Sequence, residues 1–397
     1  MWKVAAIFAL FLLVACAPAQ PLATQSVATT NPEPTLQPTD TVQPTDTPQP
    51  TFTFQPTHTP LPAEPPVFAP PALAEDAISP QNVAQMARLG NTGKLPFGEY
   101  SLSPDWTYLA VMEYVPGAPY DRRLTLWDGR GLLAKSTELP ALIEGMSISR
   151  EGSINSRIVF LSQAYSGLGV VSFCSACIQP MLTSIWALDA EGDSKLFPMD
   201  IGGWQIEFPT EEGGFLDEEA YPEGILGLDR AGLNLLSLVS GQARRIPAPG
   251  YLGLAVHPGG QLVALYRNDE VNVLDIYSEQ SVRVLPKIGS DRIWLAVYSP
   301  DGRYLAAADD HNNVVYDANT CAVLQSFAYL GGASRLVFSP DGSILAARGG
   351  ENEIVLWDTQ TGQRLLSFVG AGNLWFSPDG SLILVNKTQE FELWGLP

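Results

Sequence analysis

The chain has 397 residues, of which 46% are hydrophobic and 16% charged, and its formal net charge is −20. So acidic a surface is repelled by nucleic acid, which is not expected as a partner. The pairs Arg122-Arg123 and Arg244-Arg245 are isolated and read as solvated side chains.

Residues 1–15 read as a signal segment. Lys3 gives a positive start, and an apolar run follows from Val4 to Val14. That run is too short to span a membrane and fits the core of an export signal. It ends in Leu13-Val14-Ala15-Cys16, which resembles the lipobox of bacterial lipoproteins. The resemblance implies that Cys16 takes a diacylglycerol through a thioether and becomes the first mature residue. The protein would then sit outside the cytoplasm, anchored to the bacterial membrane by lipid, since two acyl chains hold stably.

Residues 16–80 carry Cys16 and a linker rich in Pro and Thr, with Gln37-Pro38-Thr39-Asp40 and Gln43-Pro44-Thr45-Asp46 as examples. Such a composition builds no core and predicts a disordered tether. Extended at about 3.1 Å per residue, some fifty residues reach on the order of 100 Å.

From residue 81 to 397 a phrase recurs. Ser-Pro-Asp-Gly stands at Ser299–Gly302, Ser339–Gly342 and Ser377–Gly380, at steps of 40 and 38 residues. Looser copies are His257-Pro258-Gly259-Gly260 and Ser103-Pro104-Asp105. A fixed period near forty residues means one supersecondary unit repeated. Within residues 331–368 four apolar runs alternate with turns, which predicts four short antiparallel strands. A four-stranded unit cannot bury both faces alone, and stacking copies around an axis gives an all-β propeller. Leu356-Trp357-Asp358 and Leu126-Trp127-Asp128, with degenerate forms at Tyr316-Asp317 and Leu393-Trp394, resemble WD repeats, specifically the bacterial branch rich in Ser-Pro-Asp-Gly. The Gly-His dipeptide of many WD repeats is absent, so rigidity is expected from turns and packing.

Seven blades are expected: 97–140, 141–200, 201–248, 249–289, 290–329, 330–369, and a last one at 370–397 that supplies only three strands. Its fourth strand is expected from Asn82–Gly93, with Val83, Met86 and Leu89 pairing onto the C-terminal hairpin; a short amphipathic helix is the alternative. This closure would remove an open sheet edge. Ser149-Arg150-Glu151-Gly152 reads as a faint copy of the phrase in the second blade.

Insertions in the first three blades stand out against the tight later ones. Tyr114–Tyr120 and roughly Tyr165–Met181 both fall between expected second and third strands of adjacent blades. They would bring Tyr114, Tyr120, Tyr165 and Phe173 to one rim, with Leu168, Val170 and Val171. Exposed aromatic residues on a rigid scaffold make a binding surface, or else cover blade edges. The second insertion holds Cys174 and Cys177, whose spacing in an oxidising compartment predicts a small loop disulfide. There is no second pair for zinc and no helix start to activate a thiol. Cys321 is expected as a small buried thiol at the start of an outer strand. The acidic stretch Glu207–Glu223 is read as a solvated loop between the first and second strands of the third blade, with weak calcium binding as the alternative.

The three histidines, His58, His257 and His311, lie in no nucleophile motif, and no phosphate loop, dinucleotide fingerprint or calcium loop is present. No catalytic residue, metal or cofactor is expected. The expected function is a monomeric, non-enzymatic scaffold that binds a protein or glycan of the cell envelope. The alternative is a wall-associated hydrolase or lyase with carboxylates such as Asp309 and Asp310 converging on the central channel.

Overall fold

The computed structural model describes residues 73–103, 105–114, 121–133, 139, 141–149, 155–160, 167–173, 181–188, 196–198, 217–221, 224–228, 230–237, 243–285, 292–328, 333–349, 352–370, 372–387 and 389–397. The signal segment, Cys16 and most of the expected linker lie outside this set.

The first elements among the described residues are a 3-10 turn, Val83–Gln85, and strand β1 (Ala87–Asn91). The first consecutive sheet is β2 (Gly98–Leu102), β3 (Tyr108–Tyr114), β4 (Asp121–Asp128) and β5 (Ala141–Ser149), with one helical turn, α1 (Arg130–Leu133), between β4 and β5. Next come β6 (Asn155–Phe160), β7 (Gly167–Phe173), β8 (Met181–Leu188) and β9 (Leu196–Pro198). The third sheet is β10 (Asp217–Tyr221), β11 (Gly224–Leu228), β12 (Gly232–Ser237) and β13 (Ala243–Pro247). The fourth is β14 (Gly253–Val256), β15 (Leu262–Arg267), β16 (Glu270–Asp275) and β17 (Gln280–Leu285). The fifth is β18 (Leu295–Tyr298), β19 (Tyr304–Ala308), β20 (Asn312–Asp317) and β21 (Val323–Ala328). The sixth is β22 (Ala333–Phe338), β23 (Ile344–Gly349), β24 (Glu353–Asp358) and β25 (Arg364–Val369). Finally β26 (Leu374–Phe376), β27 (Leu382–Lys387) and β28 (Glu390–Gly395) pair with β1 in the order β1-β28-β27-β26. Each sheet is antiparallel and four-stranded. In six of them side chains are described as well as backbone; in the sheet of β6–β9 only the backbone pairing is.

The first strands of successive sheets touch one another, from β2 to β6 and onward to β26, so they line the axis. The core lies in the seams between neighbouring sheets. Tyr298, Val314 and Tyr316 pack on Tyr266, Val271 and Val273, while Ala306, Val315 and Phe327 pack the other way, on Leu336, Leu345 and Trp357. The last seam joins Leu384 and Phe391 to Leu109 and Val111, which closes the ring. This is an all-β propeller.

Repeated turns explain why these residues form these hairpins. In Ser299–Tyr304 the Ser299 hydroxyl donates to Asp301 Oδ1 at 2.6 Å and accepts the Tyr304 N–H at 2.9 Å. Asp301 Oδ1 also accepts the Arg303 N–H, and Gly302 takes φ +70. Ser339 and Ser377 repeat this bonding with Asp341 and Asp379. In the first sheet Ser103 and Asp105 do so too, with Trp106 at φ +59 in the glycine's place. The aspartates closing the third strands β16, β20 and β24 have their own task. Asp275, Asp317 and Asp358 each accept two backbone N–H groups of the turn that follows. Desolvation is the largest single influence on the Asp275 and Asp317 carboxyls and pushes them up, but their hydrogen bonds together favour the ionised form and hold both below the usual range.

Several expectations are corrected. The second blade does not begin at 141: β5 completes the first sheet, because α1 delays its fourth strand. Ser149 ends β5, so the Ser-Arg-Glu-Gly stretch is not a turn between first and second strands. Asp217, Glu218 and Glu219 are not loop residues but part of β10, the innermost strand of its sheet, paired residue for residue with β11. Closure through the N-terminal segment is observed, but only Leu89 of the three named residues lies in β1, in the irregularity between Arg88 and Gly90. Val83 and Met86 precede the strand and are buried in the seam against Ile344, Ile354 and Val385. Arg244 is not merely solvated: it bonds Glu279 at 2.7 Å and the Ile276 carbonyl of the next sheet at 2.5 Å.

That last bond belongs to a series. Arg283 donates to the Ala318 carbonyl at 3.1 Å, and Gln325 to the Gln360 carbonyl at 2.5 Å, each stapling an outer strand to the next sheet. The equivalent residue of β25 is Leu366, which has no such donor. That seam is covered instead by the segment ahead of β1, where Ala74 and Ile78 donate to the Asp379 and Gly380 carbonyls at 2.9 and 2.8 Å.

Candidate functional site

Alternating strand direction gives the ring two faces. One carries the Ser-Pro-Asp-Gly turns and the aspartate turns after third strands. The other, here the loop face, carries the connections from second to third strands and from each sheet to the next. The loop face holds the described side chains with the most binding character.

Trp294 stands immediately before β18 and is 47% exposed. Its backbone N–H donates to the Ala308 carbonyl at 2.9 Å. Its indole N–H donates to the carboxylate of Asp310. The Arg292 guanidinium lies 4.3 Å from the ring centroid, within cation–π range. Phe97, immediately before β2, is 60% exposed on the same face.

The Asp309-Asp310-His311 hairpin sits beside this indole, between β19 and β20. Asp309 is buried, and its Oδ1 accepts the N–H groups of His311 and Asn312 at 2.8 and 2.5 Å. Its role is to hold the turn. Asp310 faces Trp294. The two carboxylates are therefore engaged separately and do not converge as an acid–base pair. Among the described residues no group of three His, Cys, Asp or Glu side chains is placed to hold a metal ion.

The neighbouring fourth sheet presents a bonded cluster on the same face. The Tyr251 hydroxyl donates to Glu270 at 2.7 Å and accepts from Asn272 at 2.9 Å. Arg267 lies 5.4 Å from the Tyr251 ring and 3.1 Å from Glu270. Burial first, then Glu270, pushes the Tyr251 hydroxyl up to about 12. The Tyr251 hydroxyl is thus both donor and acceptor within this cluster.

The rim expected from sequence is divided. Tyr114 ends β3, and Tyr120 lies in the following connection, outside the described residues. Gly167–Phe173 is strand β7, not an inserted loop, because it pairs with both β6 and β8. Phe173 ends that strand, next to residues 174–180, which hold Cys174 and Cys177 outside the described residues. Tyr165 also lies outside the described residues. His257 lies on the opposite face, within its turn. Cys321 is buried, at φ +62 in the turn ahead of β21 rather than in the strand.

Sequence reasoning missed Trp294 and Arg292. The available signal was positional: sister sheets place Leu252, Ser334 and Gly372 where the fifth places Trp294. Among the described residues no helix is long and apolar enough to cross a membrane. Comparison with protein-family models and with curated proteins finds no match.

Proposed function

We propose that this chain is a lipid-anchored, seven-bladed WD-repeat propeller held outside the cytoplasm, and that it is a non-enzymatic scaffold whose loop face binds a protein or glycan of the cell envelope. The observation that carries the binding reading is Trp294, exposed yet fixed by its backbone, by Asp310 and by Arg292. A side chain ordered before contact loses little entropy on docking. The Ser-Pro-Asp-Gly phrases and the turn-capping aspartates support the WD reading, and the strand order supports seven blades. The Leu-Val-Ala-Cys ending at Cys16 supports the anchor. The hydrolase or lyase alternative loses its named pair, since Asp309 holds a turn and Asp310 holds an indole.

Two experiments test this. Crosslinking and affinity capture from native membranes compares the natural chain with Trp294→Ala and with a variant whose 115–120 and 174–180 connections are shortened. A partner captured by the natural chain and lost in either variant supports the loop face; an unchanged partner set sinks it. Separately, Cys16→Ser should leave the protein outside the membrane fraction and without incorporated radiolabelled fatty acid. A variant still in the membrane fraction refutes the lipid anchor.

A further inference from the structure

The geometry points to a pyranose-binding subsite built on Trp294 and flanked by Arg292 and Asp310. It rests on the binding reading above and narrows it to one ligand class.

Three observations combine. The indole is exposed on a rigid element, and its only polar atom is already spent on Asp310. What remains to offer is the electron-rich face of the ring. That face attracts polarised C–H groups, and a sugar ring carries them on its flat sides. Arg292 lies against one side of the indole, so a stacked ligand takes the other. Both flanking groups retain hydrogen-bonding capacity. Among the described residues the Arg292 guanidinium has no hydrogen-bond or ion-pair partner, and only Oδ1 of Asp310 is engaged. A donor fork and a carboxylate oxygen beside a flat aromatic ring match the hydroxyls around a pyranose.

A protein partner fits these surroundings less well. Interface hot spots sit in well-packed, desolvated pockets ringed by contacts that exclude water. Here Ile293 is buried, and among the described residues the side chains recorded against the exposed indole are Arg292 and Asp310. A single aromatic plane with a charged border suits one sugar ring.

Pyranoses with all substituents equatorial present axial C–H groups on both sides, so they stack whichever side meets the indole. Cellotetraose and tetra-N-acetylchitotetraose are therefore the probes. The full chain, kept in detergent, is titrated with each by calorimetry. Saturable binding of at least one is expected. Trp294→Ala should weaken it by about tenfold or more. Trp294→Phe should weaken it less, and Arg292→Ala should also weaken it. Thermal melts of each variant check that the fold is kept; if Trp294→Ala fails that check, Trp294→Phe and Arg292→Ala decide. Binding of neither tetrasaccharide, or binding unchanged in the folded variants, overturns the subsite. The membrane capture experiment runs in parallel. A protein partner lost in Trp294→Ala, with no tetrasaccharide bound, would refute the sugar subsite and leave the binding face standing. Failure of both would remove both.

Discussion

The imidazole Nε2 of His257 lies 3.2 Å from the carbonyl oxygen of Gly302, joining a turn of the fourth sheet to the corresponding turn of the fifth. Nδ1 of the same ring accepts the Gly259 N–H at 3.0 Å, so the native ring is neutral with its proton on Nε2. Burial holds its pKa below the usual histidine value, with the Gly302 carbonyl offsetting part of that effect. Since the folded value is the lower one, the neutral ring stabilises the fold above the unfolded pKa of about 6.5. That contribution fades as pH falls below 6.5 and through the folded value. His257→Ser restores the residue of the sister turns and should flatten the pH dependence. Thermal melts at about pH 7 and about pH 5 check this; equal losses in both proteins would mean that His257 does not titrate with folding.

Ser339→Ala tests the turn chemistry. Its buried hydroxyl links Asp341 to the Ile344 N–H, and removing it leaves that N–H without its acceptor. A loss of about 1–3 kcal/mol is expected in urea unfolding. A loss under about 0.5 kcal/mol, the usual range for surface changes, would mean that the backbone alone sets the turn.

Asn313 is fully buried, and among the described residues neither its side-chain amide nitrogen nor its oxygen has a hydrogen-bond partner. It occupies the strand position that Val271 and Ile354 fill in the sister sheets. Asn313→Val should raise stability by about 1–2 kcal/mol, because an unsatisfied buried amide costs more than an apolar replacement. A lowered melting temperature would show that something satisfies that amide in solution.

The unstapled seam depends on the segment ahead of β1. Ile78 is buried between the last two sheets. Ile78→Ala should cost about 2–5 kcal/mol, although the residue lies outside every sheet. A near-neutral effect in denaturant titration would mean that the segment is ornamental and that Leu366 needs no cover.

The parts legible in the sequence were those where one residue type is physically required. Ser, Asp and Gly at fixed offsets serve hydroxyl bonding, carboxylate bonding and a positive φ, and Gly302, Gly342 and Gly380 stand at φ +70, +69 and +73. Where another residue meets the same demand, the signal fades, as with Trp106 at φ +59. The first three blades blurred for a different reason. Asp217-Glu218-Glu219 has poor strand propensity, yet β10 forms because the wholly buried β11 provides its ladder. The four-residue α1 shows no helical period and still displaces a whole strand. The candidate site was hidden because a Trp beside an apolar strand reads as core. Only its place at the strand's entry and its bond to Asp310, sixteen residues on, set it apart.

β1 meets β28 across a separation of 299 residues, seen in the bond from Asn91 to Glu390 at 2.7 Å and in that from the Phe391 N–H to Thr92 at 2.9 Å. A ribosome therefore releases β1 long before its partner exists, and the nascent ring stays an open arc with two unmatched borders until β28 emerges. Loop closure on that scale slows folding. A circular permutant of residues 73–397, with Pro397 joined to Leu73 and the ring reopened in the hairpin at Asn268, would make β28 and β1 close neighbours in synthesis, turning a long-range union into a local one.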